Sequence, residues 1–294
     1  MHDINFTHQH ELKDHDFLGC CKDCRTSLNI IKPHIMGFAE RIKKYTRAML
    51  AKLEPEDLYR LYQIIDDLAH METGEHLAGL ILNEADIRRE LPLIRTYYSE
   101  FFNIHEKQLA RQLLESHSPW EALESFPFYP RYEALVRSQF EAAPANPGSN
   151  LAFIGCGPVP MTLILTSRFY GIRSMGIDAC AETVKLSRKV IRCLGMESMI
   201  EIIHGDHSLL DKLDWDMVLV AALAEPKASI FQTLCKVLKD RKKNLHVIFR
   251  TYTGMRAVLY KPVQSDDIAG FKIIKEIQPV GRVNNTTVFA ELDE

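Results

Sequence analysis

The sequence predicts an α/β protein: a helical bundle followed by a doubly wound, mostly parallel sheet closed by an antiparallel hairpin. Three observations carry this. Residues 27–118 set charged side chains between apolar ones at steps of three and four, the period of helices with one buried face. From residue 151 onward short apolar runs alternate with helical stretches, the order that builds a parallel sheet covered on both faces. The tail, 271–280 and 283–292, is two β-rich runs joined at Gly281-Arg282, which reads as a hairpin.

In chain order, residues 1–26 form a polar leader with His2, His8, His10 and His15 ahead of Cys20, Cys21 and Cys24. A Cys-x-x-Cys beside histidines is a zinc pattern only when a second ligand pair follows at finger-like spacing, and none does. A leader with incidental thiols is the expectation, and no metal site is assigned. The helical domain then runs over 27–145, with helices expected at 34–52, 55–71, 75–90 and 92–116. Pro55, followed by Glu56 and Asp57, suits a helix start: its missing N–H is harmless there and the acids meet the positive end of the dipole.

The last of these helices carries an anomaly. Ile94, Tyr98, Phe102, Leu109 and Leu113 fall on one face, and Glu106 completes the step between Phe102 and Leu109, while Glu100, Lys107 and Arg111 lie opposite. A buried carboxylate must be partnered or border a cavity, and burial raises its pKa. Periodicity alone does not separate that case from a glutamate at the edge of the stripe reaching water. The segment 118–140 follows. Ser118-Pro119-Trp120-Glu121 has the form of a helix start, Pro127 and Pro130 enclose Phe128 and Tyr129, and a helix is expected to restart at Arg131. Tyr129 and Tyr132 carry phenols that need partners if buried, and packing between domains is their default use. The linker is 142–150, AAPANPGSN, and a second domain occupies 146–294.

That domain opens on LAFIGCGPVPMTLILTSRFYGIRSMGID, 151–178: strand, glycine turn, helix, strand, acid. Glycines at 155 and 157 let backbone approach a ligand closely. Asp178, about twenty residues after Gly157, sits where a ribose diol is gripped. The third glycine of the dinucleotide pattern is replaced by Pro160, and Pro158 removes another N–H. A cradle with so few donors suits a nucleoside without a pyrophosphate, such as S-adenosylmethionine (SAM). A Gly-x-Gly alone is a weak signal; the spacing to Asp178 and the strands downstream strengthen it. Strands are expected at 151–155, 173–178, 199–204, 216–222 and 244–251, and helices at 160–170, 181–195 and 226–239. With the closing hairpin this is the arrangement of class I SAM-dependent methyltransferases. At the strand ends, where open α/β sheets bind ligands, lie Asp206, Ala222 and Leu223, then Arg250, Tyr252 and Arg256. Asp206 can accept from an adenine amino group or simply cap its turn. The arginines can hold carboxylates bidentately or form surface ion pairs.

Composition narrows the classes. At 294 residues the chain accommodates two domains. A net charge of −3 and a pI near 6.5 carry no nucleic-acid footprint. Seven cysteines without a regular framework fit a reducing compartment, no signal-peptide core is present, and no apolar run is long enough to span a bilayer. The expectation is a soluble, cytoplasmic protein acting on small molecules, with a homodimer among the assemblies open to it.

SPWE (118–121), FYPRY (128–132), FIGCGPVPMT (153–162), LSRKVI (186–191), VAALAEPK (220–227), RTYTGMRA (250–257) and VNNT (283–286) together resemble the nicotianamine synthase family, over roughly residue 55 to the end. The resemblance implies an enzyme that moves the 3-amino-3-carboxypropyl (aminobutyrate) arm of SAM, as substrate, to an α-amino group. It releases 5'-methylthioadenosine, builds a metallophore and requires no metal. It places the catalytic glutamate on Glu106 and the catalytic tyrosine on Tyr132. Gly155, Cys156, Gly157, Pro158, Asp178, Asp206, Ala222 and Leu223 become candidate SAM-binding residues, and Tyr129, Arg131, Arg250, Tyr252 and Arg256 candidate substrate-binding residues. Cys156 stands where family members often have serine or glycine, and the first fifty residues have no counterpart. Phe153 and Ile154 precede Gly155, so the acid that often opens the methyltransferase glycine motif is missing. Other readings are a small-molecule N-methyltransferase with the same cofactor turn and a non-catalytic SAM-binding or metal-responsive module.

Overall fold

The computed structural model describes residues 22–142, 148–241 and 246–293. Seven helices precede the sheet: α1 (Lys22–Ile42), α2 (Arg47–Leu50), α3 (Pro55–Ala69), α4 (Glu75–Asn83), α5 (Ala85–Glu115), α6 (Pro119–Glu124) and α7 (Tyr129–Ala142). Pro55 opens α3 with Glu56 and Asp57 in its first turn, as expected. Other boundaries moved. The expected helix 34–52 is α1, which starts at Lys22 and carries Pro33 inside it, and then the short α2, capped by the Thr46 side chain accepting from the Met49 N–H. Residues 22–26 of the expected leader thus belong to α1, with Cys24 on it; His2, His8, His10, His15, Cys20 and Cys21 lie outside the described residues. The break expected between 90 and 92 falls at Glu84. Its carboxylate accepts from the N–H groups of Asp86 and Ile87, and Lys32 of α1 binds both Glu84 and Asp86. Capping there outweighs the single donor that Pro92, inside α5, removes from the ladder.

α5 runs 31 residues, roughly 46 Å at 1.5 Å per residue. It packs against α1, α3, α4 and α6 and against the later helix Ala181–Cys193. Its buried face includes Ile94, Tyr98, Phe102, Leu109 and Leu113, the expected stripe. Beside it Tyr62 of α3 stacks on Phe101 at 4.1 Å, and Phe102, Phe126 and Phe128 close the cluster.

The second half holds β1 (Asn150–Ile154), α8 (Met161–Tyr170), β2 (Arg173–Asp178), α9 (Ala181–Cys193), β3 (Ile200–His204), β4 (Met217–Val220), α10 (Lys227–Arg241), β5 (His246–Thr251), β6 (Phe271–Ile277) and β7 (Thr286–Leu292). They form one seven-stranded sheet in the order β3-β2-β1-β4-β5-β7-β6. The first five strands are parallel, and β7 runs antiparallel to both β5 and β6. Alternation along β1 divides the core. Leu151 and Phe153 face the cluster shared with the helical half, and Ala152 and Ile154 face Trp215, Phe231 and Phe249 under α10. Chain order reverses between β1 and β4, which opens a crevice at their C-terminal ends.

The hairpin is looser than expected. β7 starts at Thr286, not at 283, and residues 278–285 leave the ladder. Arg282 pairs with Asp66 and Asp67 of α3. The Asn284 amide donates to the hydroxyls of Tyr62 and Tyr98. This connection thus ties the sheet to the helical half, as do Arg95 to the Ala257 carbonyl and Trp120 to the Leu194 carbonyl. Residues 143–147 of the linker lie outside the described residues. Among the described residues no helix is long and apolar enough to cross a membrane.

One buried group makes the fold pH-sensitive. His105 is 5 % exposed, and Phe101, Phe126 and Phe128 surround it, with the Gln108 side chain as its polar neighbour. Burial pushes its pKa down to about 4. The folded state holds it neutral while the unfolded chain binds a proton near pH 6.5, so stability is full above that value and declines as pH falls toward 4. The loss attributable to His105 is about 3 kcal/mol. Urea unfolding from pH 7 to 4 should show this decline in wild type and a shallower one in His105→Phe.

Candidate active site

The site is assembled at the C-terminal edge of the sheet. After Ile154 the backbone turns through Gly155 (φ +78°) and Gly157 (φ +75°), a left-handed conformation that favours glycine. The N–H groups of Gly155 and Cys156 donate to the Ile177 carbonyl, and that of Gly157 donates to Asp178 Oδ2 at 3.0 Å. With Pro158 and Pro160 adding no donors, the turn has little to offer a phosphate. It fits a ligand held by shape and by the acid. Asp178, half-buried at the end of β2, also accepts from the Cys180 N–H at 3.0 Å. Its carboxylate is therefore fixed, with lone pairs left for a diol.

Above the turn lies the residue that broke the apolar stripe. α5 brings Glu106 so close that a Cβ built on Gly157 would stand 2.9 Å from Glu106 Oε2. Glycine at 157 is favoured by its φ, and any side chain there would push this carboxylate out of place. Glu106 Oε1 accepts from the Tyr132 hydroxyl of α7 at 3.2 Å. Burial raises the Glu106 pKa to about 8; the Tyr132 hydrogen bond opposes the shift and the nearby Asp178 charge adds to it. Burial and the Glu106 charge push the Tyr132 phenol well above its ordinary value, so it stays a hydrogen-bond donor. A carboxyl group poised near neutrality and oriented by a phenol can take or give a proton.

These groups border a chamber of about 720 Å³, within the range of small-molecule sites. Its walls include Gly155, Cys156, Gly157, Pro158, Asp178, Ala222 and Leu223 on the sheet side, Glu106, Arg131 and Tyr132 on the helical side, and Arg250 and Tyr252 from the end of β5. The two guanidiniums differ. Arg131 forms a bidentate pair with Asp66, both contacts at 2.7 Å, so its charge is balanced. Arg250 is 4 % exposed and has no carboxylate partner among the described residues. It donates to Thr162 Oγ1 at 2.9 Å and distantly to Gln139, its Nε is unpaired, and burial lowers its pKa to about 10. An uncompensated buried cation on a chamber wall is a place for an anion.

Three expected site residues are elsewhere. Asp206 is exposed and caps its own turn by accepting from the Ser208 N–H. Tyr129 opens α7 facing the charges of Arg168 and Glu124, because Phe128 takes the chamber side. Arg256 donates to the carbonyls of Val283 and Gly281 and so pins the β6–β7 connection from behind. Conversely, Tyr98, Asn284 and Asn285 line the chamber without having been singled out. The Tyr98 hydroxyl accepts from Tyr252 and from Asn284. The only advance signals were the place of Tyr98 on the apolar stripe and the VNNT segment. Among the described residues no group of three or more His, Cys, Asp and Glu is placed to hold a metal ion.

Comparison with known proteins follows the same lines. The profile of the nicotianamine synthase protein family matches residues 50–294. Nicotianamine synthase 1 of Arabidopsis thaliana is 25 % identical over 275 residues, covering 89 % of this chain and 84 % of that protein. The L-histidine 2-aminobutanoyltransferase of Pseudomonas aeruginosa is 21 % identical over 142 residues, 48 % of this chain and 53 % of that one. The crystal structure of MtNAS in complex with MTA and tNA superposes with a TM-score of 0.82 at 35 % identity, over 94 % of this chain and 100 % of that chain. A mutant of MtNAS in complex with S-adenosylmethionine gives 0.81 at 35 % identity and the same coverage. With most of its length accounted for by both sequence profile and superposition, this chain belongs to the nicotianamine synthase family.

Proposed function

We propose that this protein transfers the 3-amino-3-carboxypropyl group of SAM to the α-amino group of an amino-acid acceptor, releasing 5'-methylthioadenosine and building a nicotianamine-type metallophore. The observation that carries this is Glu106 standing over Gly157, hydrogen-bonded by Tyr132, in a chamber otherwise built for an adenosyl ligand. Asp178 takes the ribose hydroxyls. A solved relative in complex with MTA and tNA and another in complex with SAM support this assignment of the donor.

A sulfonium has three carbons open to attack, and the one that faces the nucleophile reacts. Phe153 and Ile154 offer no acid to hold the methionine arm as many methyltransferases do. The unpaired Arg250 at the other side of the chamber draws the arm's carboxylate there instead, with Tyr252 beside it. The arm then turns its γ-carbon toward the helical half. The acceptor nitrogen attacks that carbon, the C–S bond breaks with its electron pair going to sulfur, and a neutral thioether leaves. The nitrogen's proton passes to Glu106, whose raised pKa makes it a competent base near neutrality, while Tyr132 holds the carboxylate in place. Arg131, already paired with Asp66, shapes the acceptor end without adding net charge.

Methyl transfer is the competing reaction of this fold, and the nucleoside product separates the two. Incubation with SAM and mixed amino acids, followed by mass spectrometry, should give methylthioadenosine and an adduct enlarged by one or more aminobutyrate units. S-adenosylhomocysteine as the main nucleoside would overturn the proposal. Glu106→Gln should bind SAM and lose turnover by about 10²–10⁴-fold. In wild type kcat/KM should rise with pH through about 8 as Glu106 loses its proton, and this inflection should vanish in the variant. Arg250→Met removes a buried unpaired charge. Its thermal midpoint should equal or exceed that of wild type, while the KM for SAM rises about ten- to a hundredfold, the worth of a charged hydrogen bond.

A further inference from the structure

The VAALAEPK segment contains a charge that the chemistry above does not use. Lys227 opens α10 and is 2 % exposed. Its ammonium donates to the carbonyl of Ala222 at 2.9 Å and to that of Ala224. The Glu225 carboxylate is 3.8 Å away, beyond hydrogen-bond range, and is otherwise engaged: Oε2 accepts from the Lys227 backbone N–H and Oε1 from the Tyr260 hydroxyl. Burying an ammonium is costly, and an apolar side chain of the same length would fill the space without that cost. What the charge holds is the segment after β4. Ala221 donates its N–H to the Ile154 carbonyl at the end of β1, and Ala222, Leu223 and Ala224 form the chamber wall facing the glycine turn. That wall is tight: a Cβ on Gly155 would meet the Cβ of Ala224 at 2.9 Å. Because the carbonyls of Ala222 and Ala224 are occupied by Lys227, the segment's course beside the glycine turn is fixed from behind.

We infer that Lys227 is a positioning residue for the donor: by gripping these two carbonyls it sets the width of the slot, between the post-β4 segment and the glycine turn, that receives the nucleoside. This role presupposes the donor assigned above, and it applies to the nucleoside end of that donor rather than to the transferred arm. SAM and methylthioadenosine share the nucleoside, and only SAM carries the arm.

The test is calorimetric binding of SAM and of methylthioadenosine to wild type, Lys227→Met and Lys227→Gln, with steady-state kinetics alongside. Lys227→Met should weaken both ligands by a similar factor of about tenfold, the scale of one hydrogen bond to a charged group. The larger change should be in the KM for SAM and the smaller in kcat. Lys227→Gln keeps an N–H donor and should recover part of the affinity for both. Wild-type affinity for both ligands in Lys227→Met, or a loss confined to SAM, overturns the role. If Lys227→Met does not fold, Lys227→Gln decides, and wild-type affinity there overturns it equally. Failure of the wild-type protein to bind either ligand would instead remove the proposed donor.

Discussion

The contact between the Glu106 carboxylate and the backbone of Gly157 is the constraint on which the rest depends. It joins the 31-residue α5 to the glycine turn, and a side chain at residue 157 would displace the carboxylate. A carboxylate brought there loses water and gains only one phenol in return. That imbalance raises an ordinary carboxylic acid to a group titrating at about 8, the range in which general bases work. Stability alone would favour an apolar residue at this point of the α5 stripe.

Charge is distributed around the chamber with the same economy. Asp66, 1 % exposed on α3, accepts from Tyr62 and Arg282 and binds both terminal nitrogens of Arg131. Burial alone would raise its pKa, but these partners, Arg131 above all, hold it below the ordinary value. The result is a neutral pair on the helical side of the chamber. Arg250 has no such partner among the described residues, so a buried demand for an anion lies at the end of β5. The β6–β7 connection belongs to this arrangement more than to the sheet. Arg282 and Asn284 leave the ladder to meet Asp66, Tyr62 and Tyr98, and that is why the hairpin is open where residue types suggested a tight turn.

Elements with a single dominant local signal were legible in advance. Pro55 with its following acids marked the start of α3, and the glycine turn and Asp178 marked a wall of the chamber; the apolar stripe singled out Glu106 without deciding whether it reached water or a cavity. Errors arose where two local signals competed or where a distant partner decided. Pro92 suggested a break, but the Glu84 cap and its Lys32 partner set it eight residues earlier. Asp206 had the right place at a strand end, yet its own turn claimed the carboxylate. Arg250 and Arg256 looked alike as guanidiniums able to hold a carboxylate. Arg256 is spent on backbone carbonyls, while Arg250 lines the chamber with its Nε unpaired.

Residue order alone was enough for the β-α-β unit, the helical half and the odd position of Glu106, because each is written in a period or a spacing within a short stretch of chain. It could not say that Glu106 meets Gly157, or that Asp66 neutralises Arg131 while Arg250 keeps an unpaired nitrogen. Those facts depend on side chains far apart in sequence meeting after α5 packs against α9 and the β6–β7 connection reaches α3. Whether a charge is balanced or left wanting is a property of that meeting, because only packing decides which partners survive the loss of water.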